Sequence, residues 1–325
     1  MSQEIDKKTP LDRLTYSGSL EPVVIRLSDQ YGIGTPNDFS IIGVGYEDCN
    51  VIIDSQKGKF VAKIFQKGRT QDEITRYIST MERVVAAGIN HPPLIRTNNR
   101  DTVYNDSDTG LSMVLMDFID GKTYLDLKRA PTPEERKSII EQAAKINNLS
   151  YHPPYIFDSW AIPNIKEMFR KTKEFIDPND LKLVEEVLRR YDQIPISTLP
   201  TCFVHGDFTK SNVLKGTDGK IYILDFSVAN WYPRIQELAV IGANLLHDDS
   251  NVSITERSQV VAEEYGSINP LTPAEIENLP NYTLAGVAME FMGSYQEKYL
   301  NGNDTEETEY WLNLGREGLR KELTK

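Results

Sequence analysis

His205-Gly206-Asp207-Phe208-Thr209-Lys210-Ser211-Asn212 is the stretch on which the reading of this chain turns. Moving a phosphoryl group onto a hydroxyl requires a carboxylate that orients the attacking oxygen and accepts its proton. It also requires oxygen donors for a hard cation that offsets the phosphate charge. An acid, four intervening residues and an asparagine provide both kinds of group here. The apolar run Cys202-Phe203-Val204 just before them reads as a strand, which leaves the acid at a strand end, where loops carry chemistry.

Working outward, Val213-Leu214-Lys215 and Ile221-Tyr222-Ile223-Leu224 read as the two arms of a hairpin. Its turn is Asp218-Gly219, a pair favoured in two-residue type I′ loops. A register centred on that turn sets Asn212 directly opposite Asp225. Residues so paired have Cβ atoms about 4.5–5.5 Å apart, close enough to share one Mg²⁺. Taken alone, the acid and the asparagine would equally suit a surface loop in which both side chains make turns.

Upstream, Ile42-Gly43-Val44-Gly45-Tyr46 places two glycines at a bend, where backbone N–H groups can approach triphosphate oxygens. A lone pair of glycines fits an ordinary hairpin bend as well. The next strand, Phe60-Val61-Ala62-Lys63-Ile64-Phe65, sets Val61, Lys63 and Phe65 on one face. A lysine between apolar neighbours is costly to bury unless a charge meets it, and phosphate oxygens would meet it. An edge-strand lysine that deters aggregation is the competing reading.

These pieces resemble the aminoglycoside phosphotransferase/choline kinase-like family of the kinase-like superfamily, in its homoserine-kinase-type branch. The resemblance is carried by His205-Gly206-Asp207 with Asn212, by Leu224-Asp225-Phe226, and by Pro233-Arg234-Ile235-Gln236-Glu237-Leu238-Ala239. It departs at Glu237, where the family often has Asp, and at Ser227, where protein kinases have Gly. It implies Asp207 as catalytic base, Asn212 and Asp225 as Mg²⁺ ligands, and His205 as a brace for the loop. It further implies ATP or GTP as phosphoryl donor, with Gly43, Gly45 and Lys63 at the phosphates. Met116 would back the purine pocket, and the Asp117 C=O and Ile119 N–H would meet the purine. Lys63 should pair with a glutamate on the following helix. Glu73 and Glu82 both stand near the right place, and the choice stays open.

The implied architecture is α+β and bilobal, like a protein kinase. A small antiparallel-sheet N-lobe with one helix spans residues 16–120, and a larger, mainly helical C-lobe spans 121–325. Local patterns agree. Residues 39–45, 50–54, 59–65, 102–105 and 111–118 are short β-rich runs, with Lys57-Gly58 and Ser107-Asp108-Thr109-Gly110 as turns. A helix over 70–87 carries Ile74, Ile78, Met81 and Val85 on one stripe and stops at Gly88. A further helix is expected over 20–31, and the first fifteen residues are expected to be loose. After Gly121, Thr132-Pro133-Glu134-Glu135 and Thr272-Pro273-Ala274-Glu275 are capping boxes that open helices. Asp180 opens another, and residues 282–322 read as two more.

Composition narrows the function classes. The 325 residues are 39% hydrophobic and 26% charged, with a net charge of −12. An acidic chain is a poor counter-surface for nucleic-acid phosphates. No apolar run reaches the roughly 18 residues a membrane span requires. The opening MSQEIDKKTP is polar and acidic, so no secretory signal is expected there. Cys49 and Cys202 read as reduced thiols, which suits a cytoplasmic protein, and the four histidines lack zinc-ligand spacing.

The expected partner is a small-molecule hydroxyl substrate, such as an amino alcohol, hydroxy amino acid, sugar or aminoglycoside, bound by a monomer or homodimer. Candidate lining residues are Trp231, Tyr232, Arg234, Asp248, Asp249 and Glu290, although Arg234 and Glu237 are also spaced for an ion pair. The competing class is a nucleotide-binding module without catalysis. The joint presence of Lys63, Asp207, Asn212 and Asp225 counts against it.

Overall fold

Two short runs of chain and one terminal residue apart, this computed structural model describes the protein throughout, over residues 9–248 and 252–324. The chain contacts divide into two compact units, one ending at Asp120 and the other beginning at Gly121.

The first unit is built on a five-stranded antiparallel sheet. Its strands are β1 (Pro36–Ile41), β2 (Cys49–Ser55), β3 (Gly58–Ile64), β4 (Val103–Asn105) and β5 (Ser112–Asp117), in the order β1-β2-β3-β5-β4. Helix α1 (Glu21–Tyr31) covers one face, where Val23, Val24, Leu27 and Tyr31 pack with Val51, Ile53, Ala62, Ile64 and Leu115. Leu14 joins the same core, and Leu11 and Tyr16 lie against it. The segment around them is therefore held by apolar burial, not loose as its polarity suggested. Residues 1–8 of that stretch lie outside the described residues.

Helix α2 (Gln71–Ala86) meets the side chains of the other face, so the sheet has two helices where one was expected. Thr70 and Glu73 close its N-terminus as a capping box, and Gly88 follows its end with φ of 72°. Its buried face is Ile74, Tyr77, Met81 and Val84. The expected stripe through Ile78 and Val85 was off by one position in each of two turns. The difference matters, because Tyr77 thereby lies against Phe65 and Lys63.

The second unit is mainly helical. It begins with β6 (Gly121–Thr123), a short helix α3 (Tyr124–Leu127), α4 (Pro133–Asn147), α5 (Ile165–Thr172) and α6 (Pro178–Tyr191). Four strands follow: β7 (Thr201–Val204), β8 (Val213–Gly216), β9 (Ile221–Ile223) and β10 (Asn230–Pro233). They make two small antiparallel sheets, β10-β7 and β6-β8-β9. Helix α7 (Ile235–Val240) runs into a wide turn, Ile241–Leu245, before α8 (Ile254–Gly266), α9 (Pro273–Tyr295) and α10 (Glu306–Leu323).

Every residue of α9 from Tyr282 to Tyr295 is buried. A helix that is apolar all round belongs at the centre of a helical unit, and α9 packs against α5, α6, α7, α8 and α10. Capping boxes at Thr132/Glu135 and Thr272/Glu275 start α4 and α9 where the sequence placed them. Among the described residues no helix is long and apolar enough to cross a membrane.

Candidate active site

Strand β7 ends at Val204 and delivers the chain into the loop that carries Asp207. Two buried groups hold that loop by its backbone. The Glu237 carboxylate on α7 accepts the N–H groups of His205 and Gly206, at 2.9 and 2.8 Å. Burial pushes this carboxyl up to about 7, against the lowering effect of the two amides. Gly206 has φ of 86°, a conformation that glycine adopts without steric cost.

His205 holds the next turn. Its Nδ1 accepts the Asp207 N–H at 3.0 Å, which assigns the ring proton to Nε2, and Nε2 donates to the Leu224 carbonyl at 2.9 Å. The ring is buried edge-on against Phe208 and Phe226, and burial pushes its pKa down to about 4. A neutral ring with both nitrogens committed to backbone is a brace, as the resemblance implied.

Asp207 and Asn212 come together. The Asn212 amide nitrogen donates to Asp207 Oδ2 at 2.5 Å and lies 3.3 Å from the Asp207 carbonyl. That commitment leaves the Asn212 side-chain oxygen as the atom suited to a cation. Asp225 stands just beyond β9 with φ of 58°, and its Oδ1 accepts the Ser227 N–H at 3.1 Å.

The hairpin between Asn212 and Asp225 is out of the expected register by one residue. Val213 pairs with Ile223 and Lys215 with Ile221, so Asn212 lies opposite Leu224, whose N–H it accepts at 2.8 Å. The reason is the turn. The Gly216 N–H donates to the Lys220 carbonyl and the Gly216 carbonyl accepts the Gly219 N–H, making a three-residue loop with Gly219 at φ of 82°. Asp225 is therefore offset from Asn212 by one position along the hairpin. Asn and Asp oxygens are the donors that Mg²⁺ takes. Among the described residues no cluster of three or more His, Cys, Asp or Glu is placed to hold a metal. A cation here would depend on Asn212, Asp225 and oxygens brought by a nucleotide.

Behind the loop lies a buried polar network that the sequence did not disclose. Asn244, in the wide turn after α7, accepts the Lys210 N–H at 2.8 Å and donates to Glu290 Oε1 on α9. The Lys210 ammonium donates to the His247 carbonyl at 2.6 Å. Glu290 Oε2 is buried without a hydrogen-bond partner among the described residues, and burial pushes this carboxyl up to about 8.

The remaining acceptor-site candidates divide. Arg234 forms a two-pronged ion pair with the buried Glu275 at 2.8 and 2.6 Å, not with Glu237 as its spacing had suggested. Trp231 stacks on His152 and donates to Thr201, and Tyr232 is buried beside Asn230. Asp248 is exposed, and Asp249 lies outside the described residues.

In the first unit, Gly43 and Gly45 occupy the loop after β1, which ends at Ile41, earlier than expected. Open space surrounds both glycines, and Gly45 has φ of 101°. Lys63 is the last residue but one of β3 and only 3% exposed. Within this unit its ammonium meets Asp48 Oδ2 at 3.2 Å and stands 5.2 Å over the Tyr77 ring. Neither expected helix glutamate takes that place: Glu73 caps α2 through Thr70, and Glu82 pairs with Arg96. Met116 and Asp117 end β5, and Ile119 follows in the connection to β6.

Comparison with known proteins places the chain in a family. The model of the phosphotransferase enzyme family matches residues 38–266, which run from the glycine loop past Asp225. A homoserine kinase of Brucella anthropi is 22% identical over 280 residues, 84% of this chain and 82% of that protein. A solved amicoumacin kinase with AMP-PNP and Ca²⁺ superposes with a TM-score of 0.66 at 13% identity, over 94% of this chain and 93% of that one. A choline kinase from Streptococcus pneumoniae gives 0.64 at 11% identity, over 93% and 99%. With well over half its length matched, the chain belongs to the phosphotransferase enzyme family.

Proposed function

We propose that this protein moves the terminal phosphoryl group of ATP onto the hydroxyl of a small amino alcohol or hydroxy amino acid, homoserine being the first to try. In this reading residues 16–120 are the nucleotide-binding lobe, and residues 121–325 carry the catalytic loop and receive the acceptor. The observation that carries the reading is the Asp207 carboxylate, fixed by Asn212 on a loop braced by His205 and Glu237. Such a carboxylate is held ready to orient a hydroxyl.

Asp207 accepts the acceptor's proton as the oxygen–phosphorus bond forms and the bond to the departing ADP breaks. Gly43, Gly45 and Lys63 receive the triphosphate, while Met116, Asp117 and Ile119 border the purine. Asn212 and Asp225 would hold Mg²⁺, which when bound neutralises phosphate charge. An amine-bearing acceptor is favoured by Glu290, whose Oε2 is buried without a hydrogen-bond partner among the described residues, in the polar network behind the Asp207 loop. Burial favours the protonated form of Glu290 in the free protein, and an ammonium group would stabilise its ionised form. The names of the relatives, kinases for homoserine and choline, point the same way.

The test is purified protein with ATP, Mg²⁺ and a panel of hydroxy amino acids, amino alcohols, sugars and an aminoglycoside. ADP release matched by a phosphorylated product identifies the acceptor. Absence of product from every member overturns the reading.

A further inference from the structure

An ammonium buried mid-sheet needs an anion, and in kinase-like folds a glutamate of the neighbouring helix is the expected source. In this chain both such glutamates are engaged elsewhere, and α2 sets the Tyr77 ring beneath the Lys63 ammonium. The anion comes instead from the glycine loop itself. Asp48 is the last residue before β2, and Lys63 pairs across the sheet with Asn50. Asp48 is therefore the diagonal neighbour of Lys63 on the same face, within reach of a long side chain.

The Asp48 carboxylate is fixed on every side. Its Oδ1 accepts the Gln66 N–H at 3.0 Å, while its Oδ2 takes Lys63 at 3.2 Å and the Arg69 guanidinium at 3.2 Å. Its side chain is 1% exposed. A carboxylate held by two cations and a backbone amide does not swing. Arg69 is itself held by Glu47, one residue earlier in the loop, at 2.7 Å.

We propose that Asp48 is the positioning residue of the phosphate lysine, taking the place of a helix glutamate and tying Lys63 to the loop that carries Gly43 and Gly45. The loop and the lysine then form one anchored unit, and the aim of Lys63 depends on the loop's own acid and not on α2. The inference rests on the reading of Lys63 as a phosphate-binding residue.

The experiment is calorimetric titration of the full chain with AMP-PNP and Mg²⁺, which requires no knowledge of the acceptor. Asp48→Asn should weaken binding by about tenfold or more, the scale of one lost charged contact. Asp48→Glu should recover part of the loss, and Glu73→Gln and Glu82→Gln should stay within about twofold of the parent. In a Lys63→Met background, Asp48→Asn should add little. If it weakens binding equally with and without Lys63, its role is only structural and the proposal is overturned. Should Asp48→Asn not fold, Asp48→Ser carries the test, and an equal loss of affinity with and without Lys63 overturns the proposal. A Lys63→Met chain that binds like the parent, or a parent that binds no nucleotide, overturns the reading of Lys63 first and the inference with it.

Discussion

The amide nitrogen of Asn212 lies 2.5 Å from Oδ2 of Asp207, so the residue expected to hold a cation also fixes the acid expected to accept a proton. Replacing Asp207 by Asn keeps the shape of this contact and removes the base. The variant should lose about 10²–10⁴-fold in kcat, while affinity for AMP-PNP stays near the parent value. Steady-state kinetics on the identified acceptor and a nucleotide titration check the two halves separately. A variant that retains full turnover would remove Asp207 from the chemistry.

Glu237 supports the same loop from behind by accepting two backbone N–H groups. A glutamine there offers one oxygen and turns a second donor toward the other amide. A buried donor without an acceptor costs about 1–3 kcal/mol. Glu237→Gln should therefore melt several degrees lower and turn over more slowly, as thermal unfolding and kcat would show.

Glu290 gives a pH dependence with a definite sign. Its carboxyl is pushed up to about 8 in the fold by burial, above the ordinary carboxylate value of 4.5 it has in an unfolded chain. The folded state keeps a proton that the unfolded state has released, so stability falls as pH rises between those two values. Its contribution is full below the lower value and lost as pH passes the upper. Glu290→Gln removes this dependence. Across that interval the melting temperature of the parent should drop relative to the variant, then run parallel above it. A constant difference throughout would show a carboxylate ionised at every pH.

Arg234 and Glu275 make a different kind of pair, one that joins the start of α7 to the first turn of α9. Glu275 is fully buried. Arg234→Met strands that carboxylate, and the loss should be about 2–3 kcal/mol, less than a fully enclosed pair because the guanidinium is partly open to water. The KM for the acceptor should be unchanged. A raised KM at undiminished stability would return Arg234 to the substrate site.

Much of this was legible in the sequence because it is written in local spacing. The interval from Asp207 to Asn212, the capping boxes at Thr132 and Thr272 and the β-rich runs before Gly121 all depend on near neighbours. What failed depended on one extra loop residue or on burial. A Gly216–Lys220 turn and a two-residue Asp218-Gly219 turn share the same letters, and only backbone conformation separates them. Asp48, Glu237 and Glu290 are buried acids, and in a string of letters a buried acid looks like an exposed one. The partner of Lys63 was sought on α2 because the resemblance implied it there, whereas the sheet register brings Asp48 diagonally beside it.

Asp225 keeps its backbone at φ of 58°, a left-handed conformation that glycine would occupy without strain. For a residue with a Cβ that geometry costs on the order of 1–2 kcal/mol. A chain selected only for thermal endurance would give up the acid at this position, and Asp225→Gly should unfold at a higher temperature than its parent while losing the ability to phosphorylate. If Asp225 holds the cation as proposed, durability and chemistry pull in opposite directions at this residue, and a search for hardier variants will tend to produce inert ones.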